Sequence, residues 1–207
     1  MTTRVVQLEV GPMANFSYII ADENRRVAAI VDPSWDLEKT YAILEDNKWR
    51  VRMIINTHNH FDHVLGNEQI ASHTGARIVQ HQDSDWGGKY DPIIDGEQIP
   101  LGDTIIKVLH TPGHSKESIS LLVDDKFIFT GDTLFVGGCG RVDLLGGDVN
   151  DMYDSLYNKV LQLEEDLIVY PGHNYGSSPW STIGKEKKYN PALQSNSREE
   201  FAKFMTS

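Results

Sequence analysis

Apolar runs broken by turn-forming residues dominate the first third of the chain. Runs at about 4–10, 16–21 and 27–31 read as strands, with Gly11-Pro12 and Asp32-Pro33 as the breaks between them. This pattern predicts an antiparallel meander. From 37 to 48 the period lengthens: Leu37, Tyr41 and Leu44 fall at i, i+4 and i+7, one face of an amphipathic helix. Positions 51–56 then read as a buried strand. A helix over about 65–74, stopped by Gly75, leads to a short strand near 77–80 and an irregular stretch through Asp95.

The second half repeats this style, with strands near 104–109, 117–123 and 126–130. A helix over about 149–163 places Met152, Leu156, Val160 and Leu163 on one face, and 167–170 is a further strand. The last helix, near 197–205, carries Phe201, Phe204 and Met205, with Ser197 as N-cap and two glutamates in its first turn. Strands in two groups, each followed by helices, predict two sheets packed together with helices outside. No internal repeat or linker interrupts the 207 residues, so one domain over 1–207 is expected.

Composition changes the picture little: 40% apolar and 24% charged residues are ordinary for a folded chain. Charge says more. A formal net charge of −11 argues against nucleic-acid or anionic-membrane partners, which require a basic surface. Cys139 is the sole cysteine, which excludes an intrachain disulfide and fits a cytoplasmic setting. The N-terminus lacks an apolar signal core, and no run approaches the roughly 18 apolar residues of a membrane span.

The chemistry concentrates in Thr57-His58-Asn59-His60-Phe61-Asp62-His63. His58 and His60, two apart at the end of the predicted strand, are expected on one side of it, where both imidazoles can share one ion. Asp62 and His63 follow in a loop that turns back and offers oxygen and nitrogen ligands. This donor set suits zinc, iron or manganese rather than the all-oxygen shells of magnesium and calcium. Three further ligand-type residues follow strands at glycine-containing turns: His114 in Thr-Pro-Gly-His, Asp132 in Phe-Thr-Gly-Asp-Thr, and His173 in Tyr-Pro-Gly-His-Asn. An open, loop-borne cluster of this kind reads as catalytic. A purely structural metal module would favour a closed, cysteine-rich tetrahedron.

The H-x-H-x-D-H run followed in order by His114, Asp132 and His173 resembles the metallo-β-lactamase superfamily along nearly the whole chain. The resemblance implies an α+β, four-layer αββα sandwich with the site at one edge of the two sheets. It implies His58, His60 and His114 on a first metal, Asp62, His63 and His173 on a second, and Asp132 bridging them. Two divalent transition metals, zinc foremost, are the expected cofactors. Segments 129–135, 138–141, 172–175 and 181–191 are similar to glyoxalase II, the hydroxyacylglutathione hydrolases, which implies thioester hydrolysis, a small-molecule thioester as partner, and Asp62 and Asp132 as catalytic groups. In that family a basic residue after the Gly-Cys-Gly run and a tyrosine after the last ligand contact glutathione, and Arg141 and Tyr175 stand there.

Two departures qualify that likeness. Asp143 replaces an aromatic residue frequent in glyoxalase II, and the helical extension with further glutathione contacts does not follow His173. Gly138-Cys-Gly-Arg141-Val-Asp143 and the last two segments also resemble persulfide dioxygenases, which implies a single iron on His58, His114 and Asp132. Arg141 has a structural alternative as well, an internal pair with Asp143 or Asp148. Cys139 is expected as a small buried residue rather than a nucleophile, His110 as a support for His114, and His73 and His81 at the surface. The four tryptophans read as packing residues, with Trp180 near enough to Tyr175 to line the pocket.

Overall fold

The computed structural model describes residues 3–206. Thr3–Val10 (β1), Asn15–Asp22 (β2) and Val27–Val31 (β3) form the antiparallel meander, and Arg50–Ile55 (β4), Arg77–His81 (β5) and Asp91–Ile93 (β6) extend it in parallel, giving the order β1-β2-β3-β4-β5-β6. Parallel neighbours need crossovers. Leu37–Asn47 (α1) supplies one between β3 and β4; the short Phe61–Val64 (α2) and Asn67–Thr74 (α3) supply the next.

The second sheet contains Gln98–Leu101 (β7), Thr104–His110 (β8), Ile119–Val123 (β9), Phe127–Gly131 (β10), Ile168–Pro171 (β13) and Ser181–Thr182 (β14), in the order β14-β13-β10-β9-β8-β7. Leu134–Phe135 (β11) and Gly138–Cys139 (β12) make a small ribbon between them in sequence. Val149–Tyr153 (α4), Ile183–Tyr189 (α5) and Arg198–Met205 (α6) cover this sheet's outer face.

Adjacent residues on one strand serve different cores, as the period of two requires. Ile20, Ile55, Val108, Leu121 and Phe129 pack between the sheets. Their neighbours Ile19 and Ile54 pack outward with Leu44 of α1 and Ile70 of α3. Ile128 and Val169 pack outward on the other side with Met152, Leu156 and Phe201. The αββα sandwich follows from this double-faced burial, and it explains why the central strands read as continuous apolar runs rather than alternations.

Several expected elements have different bounds. The helix over 149–163 is α4 continued by a π-helical turn, Asp154–Lys159, and a 3₁₀ turn, Val160–Gln162. The wider turn still buries Met152, Leu156 and Val160 completely. Leu163 lies just beyond, in extended backbone. Phe204 is 42% exposed, because α6 turns only Phe201 fully inward. The stretch expected to be irregular contains β6, whose Asp-Pro-Ile is too short to show a period, and α3 begins at Asn67 because α2 occupies the preceding turn. The caps behave as expected: Gly75 ends α3 at φ 71°, and the Ser197 side chain accepts the Glu200 N–H.

Candidate metal centre

Strand β4 ends at Ile55, so His58 and His60 lie in the loop beyond it rather than on the strand. Their rings nevertheless meet at 4.7 Å, because the loop descends directly into α2, which carries Asp62 and His63 as buried residues. His114 follows β8, Asp132 follows β10 and His173 follows β13. All the expected ligands converge at this edge. The donor atoms of His58, His60 and His114 lie within 4.8 Å of one another, as do those of Asp62, His63 and His173; His58, His63 and Asp132 form a third such group that joins the two.

Asp132 sits between the sets. Its Oδ2 lies 3.5 Å from His114 Nε2 and 3.3 Å from His173 Nε2, and its Oδ1 lies 3.5 Å from His63 Nε2. Asp62 Oδ2 is 3.5 Å from both His63 Nε2 and His173 Nε2. Within this cluster His58 Nε2 and Asp132 Oδ1 are buried without any hydrogen-bond partner. Orphaned buried polar atoms are costly and rare. Both atoms belong to ligand-type groups that cluster here, and bound cations would give them partners. The residues therefore fit the two-metal set that the sequence implies.

The outer nitrogens fix which ring atom faces inward. His114 Nδ1 donates to the Arg141 carbonyl at 2.8 Å and His173 Nδ1 to the Met13 carbonyl at 3.0 Å. A carbonyl only accepts, so the Nε2 lone pairs of both rings point into the cluster. His63 Nδ1 donates to Asp32 Oδ2 at 3.1 Å with the same result. Thr57 Oγ1 donates to that carboxylate at 2.6 Å and lies 3.1 Å from His58 Nδ1, so it can accept the His58 N–H. His60 alone presents Nδ1, which lies 2.9 Å from His114 Nε2.

Sequence reading missed this supporting layer. Asp32, read as part of a turn, directly follows β3 as a buried acid, and it also accepts the Thr57 N–H at 2.7 Å. Asn15 donates to Asp62 Oδ2 at 2.9 Å, Ser34 to the Asp62 carbonyl at 2.6 Å, and Asn56 to the His63 carbonyl at 3.0 Å. Glu117 accepts the Asn59 N–H at 3.1 Å. The available signal was an Asp immediately after an apolar strand, the same context that singled out Asp132. Glycines permit the close approach: a Cβ on Gly172 would stand 2.3 Å from Asp132 Oδ1, and one on Gly140 1.9 Å from the Asp132 carbonyl oxygen.

Burial opposes charge on His58, and neighbouring His63 adds to it, so its pKa falls well below the ordinary histidine value. His63 is equally buried, but Asp132, Asp32 and Asp62 outweigh the desolvation and raise it to about 9. Burial likewise disfavours the Asp132 carboxylate, yet His63, His173 and His58 hold it far below the usual range. Asp132 and His63 thus hold each other in their charged forms.

Beside it opens a cleft of about 480 Å³ whose walls include Met13, Phe61, Phe135, Leu144 and Tyr175. Tyr175 stacks on His173 at 4.6 Å and 11°. Arg141 reaches the cleft but forms a two-bond pair with Asp143, at 2.6 and 2.7 Å, with both side chains largely exposed. The internal network considered for it is therefore a surface pair. Cys139 lines the cleft with its thiol pushed up to about 12 by burial, which leaves it a poor nucleophile.

Three neighbouring expectations are corrected. His81 is buried, not superficial, because its ring stacks on His110 at 4.0 Å and 10°. His110 donates Nε2 to the Lys116 carbonyl at 2.7 Å and pairs with His81 rather than supporting His114. Trp180 lines a separate depression with Val136 and Tyr189, since the chain turns away after Tyr175. His73 is exposed as expected, against Tyr41.

Comparison with known proteins places this geometry. The family model described as the metallo-beta-lactamase superfamily matches residues 10–173. A hydroxyacylglutathione hydrolase of Polaromonas is 37% identical over 78% of the chain, which spans 62% of that relative's length. The mitochondrial persulfide dioxygenase ETHE1 of Homo sapiens is 32% identical over 92% of the chain and 75% of its own length. The crystal structure of ETHE1 from Myxococcus xanthus superposes with a TM-score of 0.92 at 32% identity, covering 100% of this chain and 91% of that one. Among the described residues no helix is long and apolar enough to cross a membrane.

Proposed function

The chain belongs to the metallo-β-lactamase superfamily, and from that premise we propose that it is a metal-dependent hydrolase cleaving a small thioester of the hydroxyacylglutathione type. The observation that carries this reading is the pair of donor sets, His58-His60-His114 and Asp62-His63-His173, with Asp132 between them. Two divalent transition ions, when bound there, supply a water acidic enough to ionise near neutral pH and positive charge for the oxyanion of the carbonyl addition. Similarity to the hydroxyacylglutathione hydrolase supports the substrate class.

The residues of the chain have distinct roles in this scheme. Asp62, held by Asn15, orients the attacking water, and Asp132 keeps the two donor sets in register. Met13, Phe61 and Phe135 exclude solvent from the acyl group, while Tyr175 braces His173 and faces the thiol carrier. Arg141 exchanges Asp143 for a substrate carboxylate, which its planar fork suits. Water adds to the carbonyl carbon, the C–S bond breaks, and carboxylate and thiol leave. No protein nucleophile takes part.

A second reading has its own observation. Asp143 occupies Arg141, so a substrate carboxylate has to displace it, and the likeness to ETHE1 extends over the whole chain. An iron persulfide dioxygenase using His58, His114 and Asp132 is the alternative. Purified metal-loaded protein is to be assayed with S-lactoylglutathione and, separately, with glutathione persulfide in an oxygen electrode. Thioester cleavage without persulfide-dependent oxygen uptake supports the hydrolase; the reverse pattern overturns it.

A further inference from the structure

At the opposite end of β4 from the metal cluster, arginines gather although the chain carries a net charge of −11. Arg25, Arg50, Arg52 and Arg77 line a groove of about 400 Å³ with Val27, Met53 and Gly102, and Arg50, Arg52 and Arg77 also line an adjoining depression of about 330 Å³. No acidic residue lines either one. We propose that this groove is a binding site for small oligophosphate groups, separate from the metal centre.

The sequence places the charges deliberately. On β4 Arg50 and Arg52 are exposed, and a bulge at Arg52 breaks the alternation, since Val51 packs in the outer core and Met53 between the sheets; both arginines nevertheless line the same two depressions. Arg77 is the exposed first residue of the parallel neighbour β5, in register with Met53. Positions two apart on a strand are separated by roughly 6.6 Å and neighbouring strands by about 4.8 Å, a spacing over which several guanidinium groups reach one chain of phosphates.

Pairing separates these arginines into two kinds. Arg25 is matched by Asp103 at 3.0 Å and Arg77 by Asp91 at 3.4 Å. Arg50 and Arg52 have no ion-pair partner among the described residues. Like charges held side by side repel, and an anion with several acceptor oxygens relieves that repulsion through fork-shaped contacts. The groove is also remote from catalysis: the six residues of β4 put about 17 Å between its ends, and the cluster begins beyond the far one.

Calorimetric titration of the full-length, metal-loaded protein with inorganic triphosphate and, in a parallel arm, with adenosine triphosphate tests the site. Binding is expected in the wild type and is expected to weaken by about tenfold or more in R50Q/R52Q, with metal content and basal turnover unchanged. Equal affinity in the two arms identifies the phosphate chain as the recognised group; tighter binding of the nucleotide assigns a further contact to the base or sugar. Absence of binding in the wild type, or undiminished binding in R50Q/R52Q because the phosphates sit on the metals instead, overturns the proposal.

Discussion

Replacing Asp32 probes how the outer carboxylate sets the metal ligands. Asp32 Oδ1 accepts the Thr57 N–H at 2.7 Å, and Oδ2 accepts Thr57 Oγ1 at 2.6 Å and His63 Nδ1 at 3.1 Å. Asp32→Asn keeps the volume and tolerates the native φ of 48°, which asparagine adopts readily. With Oδ1 held on the Thr57 N–H, the new amide N–H2 faces His63 and must donate to Nδ1. His63 then changes tautomer and carries its hydrogen on Nε2, 3.5 Å from Asp132 Oδ1, where its lone pair is needed for an ion. Flipping the amide instead opposes two donors at Thr57.

Loss of such an outer partner costs about 10- to 100-fold in metal affinity, or roughly 1.4–2.7 kcal/mol. Asp32→Ala is harsher, since it strands three buried donors at about 1–3 kcal/mol each and places alanine at positive φ. Titration of metal-free protein in competition with a chromogenic chelator measures the effect for D32N, with circular dichroism as the check on folding. A folded D32N protein that binds both ions as tightly as wild type refutes the tautomer argument.

Gly172→Ala is expected to lower metal occupancy, because the added Cβ stands 2.3 Å from Asp132 Oδ1 and 3.0 Å from the Gly131 backbone, and both must shift; normal occupancy by elemental analysis contradicts this. Cys139, with a thiol near 12, holds roughly one part in ten thousand as thiolate at pH 8, so iodoacetamide leaves it unmodified in the folded protein while unfolded chain reacts. Asp22 is buried, which opposes its charge, but the N–H groups of Asp103, Arg25 and Asn24 hold its pKa below the ordinary carboxylate value. Its contribution to stability is therefore complete above the unfolded carboxyl pKa of about 3.9 and lost as pH falls through the lower folded value. Urea midpoints of wild type and Asp22→Asn differ at pH 7 and converge below about pH 4; a gap that widens in acid reverses the sign.

The ligand residues were legible because their chemistry is local: His-x-His-x-Asp-His and three Gly-preceded or Gly-flanked positions declare themselves without a fold. The two sheets were legible from runs such as 16–21, buried on both faces. What escaped depends on distance in sequence. Asp32 supports His63 across 31 positions and Asn15 supports Asp62 across 47; the place of Asp32 after an apolar strand is a local signal that names no partner, and nothing local marks Asn15. His81 looked superficial because its stacking partner, His110, comes from the other sheet. The π-helical turn at Asp154–Lys159 preserves the apolar face, so periodicity alone read it as ordinary helix. Likeness to the family carried the rest, including the pairing of ligands into two sets.

The central claim is that this one edge of the sandwich holds two ions bridged by Asp132. A crystal structure of the metal-loaded protein with anomalous data at the metal absorption edge tests it most directly. The account predicts two anomalous peaks about 3.5–4 Å apart, one against His58, His60 and His114 and the other against Asp62, His63 and His173, with Asp132 touching both. A single peak on His58, His114 and Asp132, with His63 and His173 free of metal at saturating concentration, contradicts it.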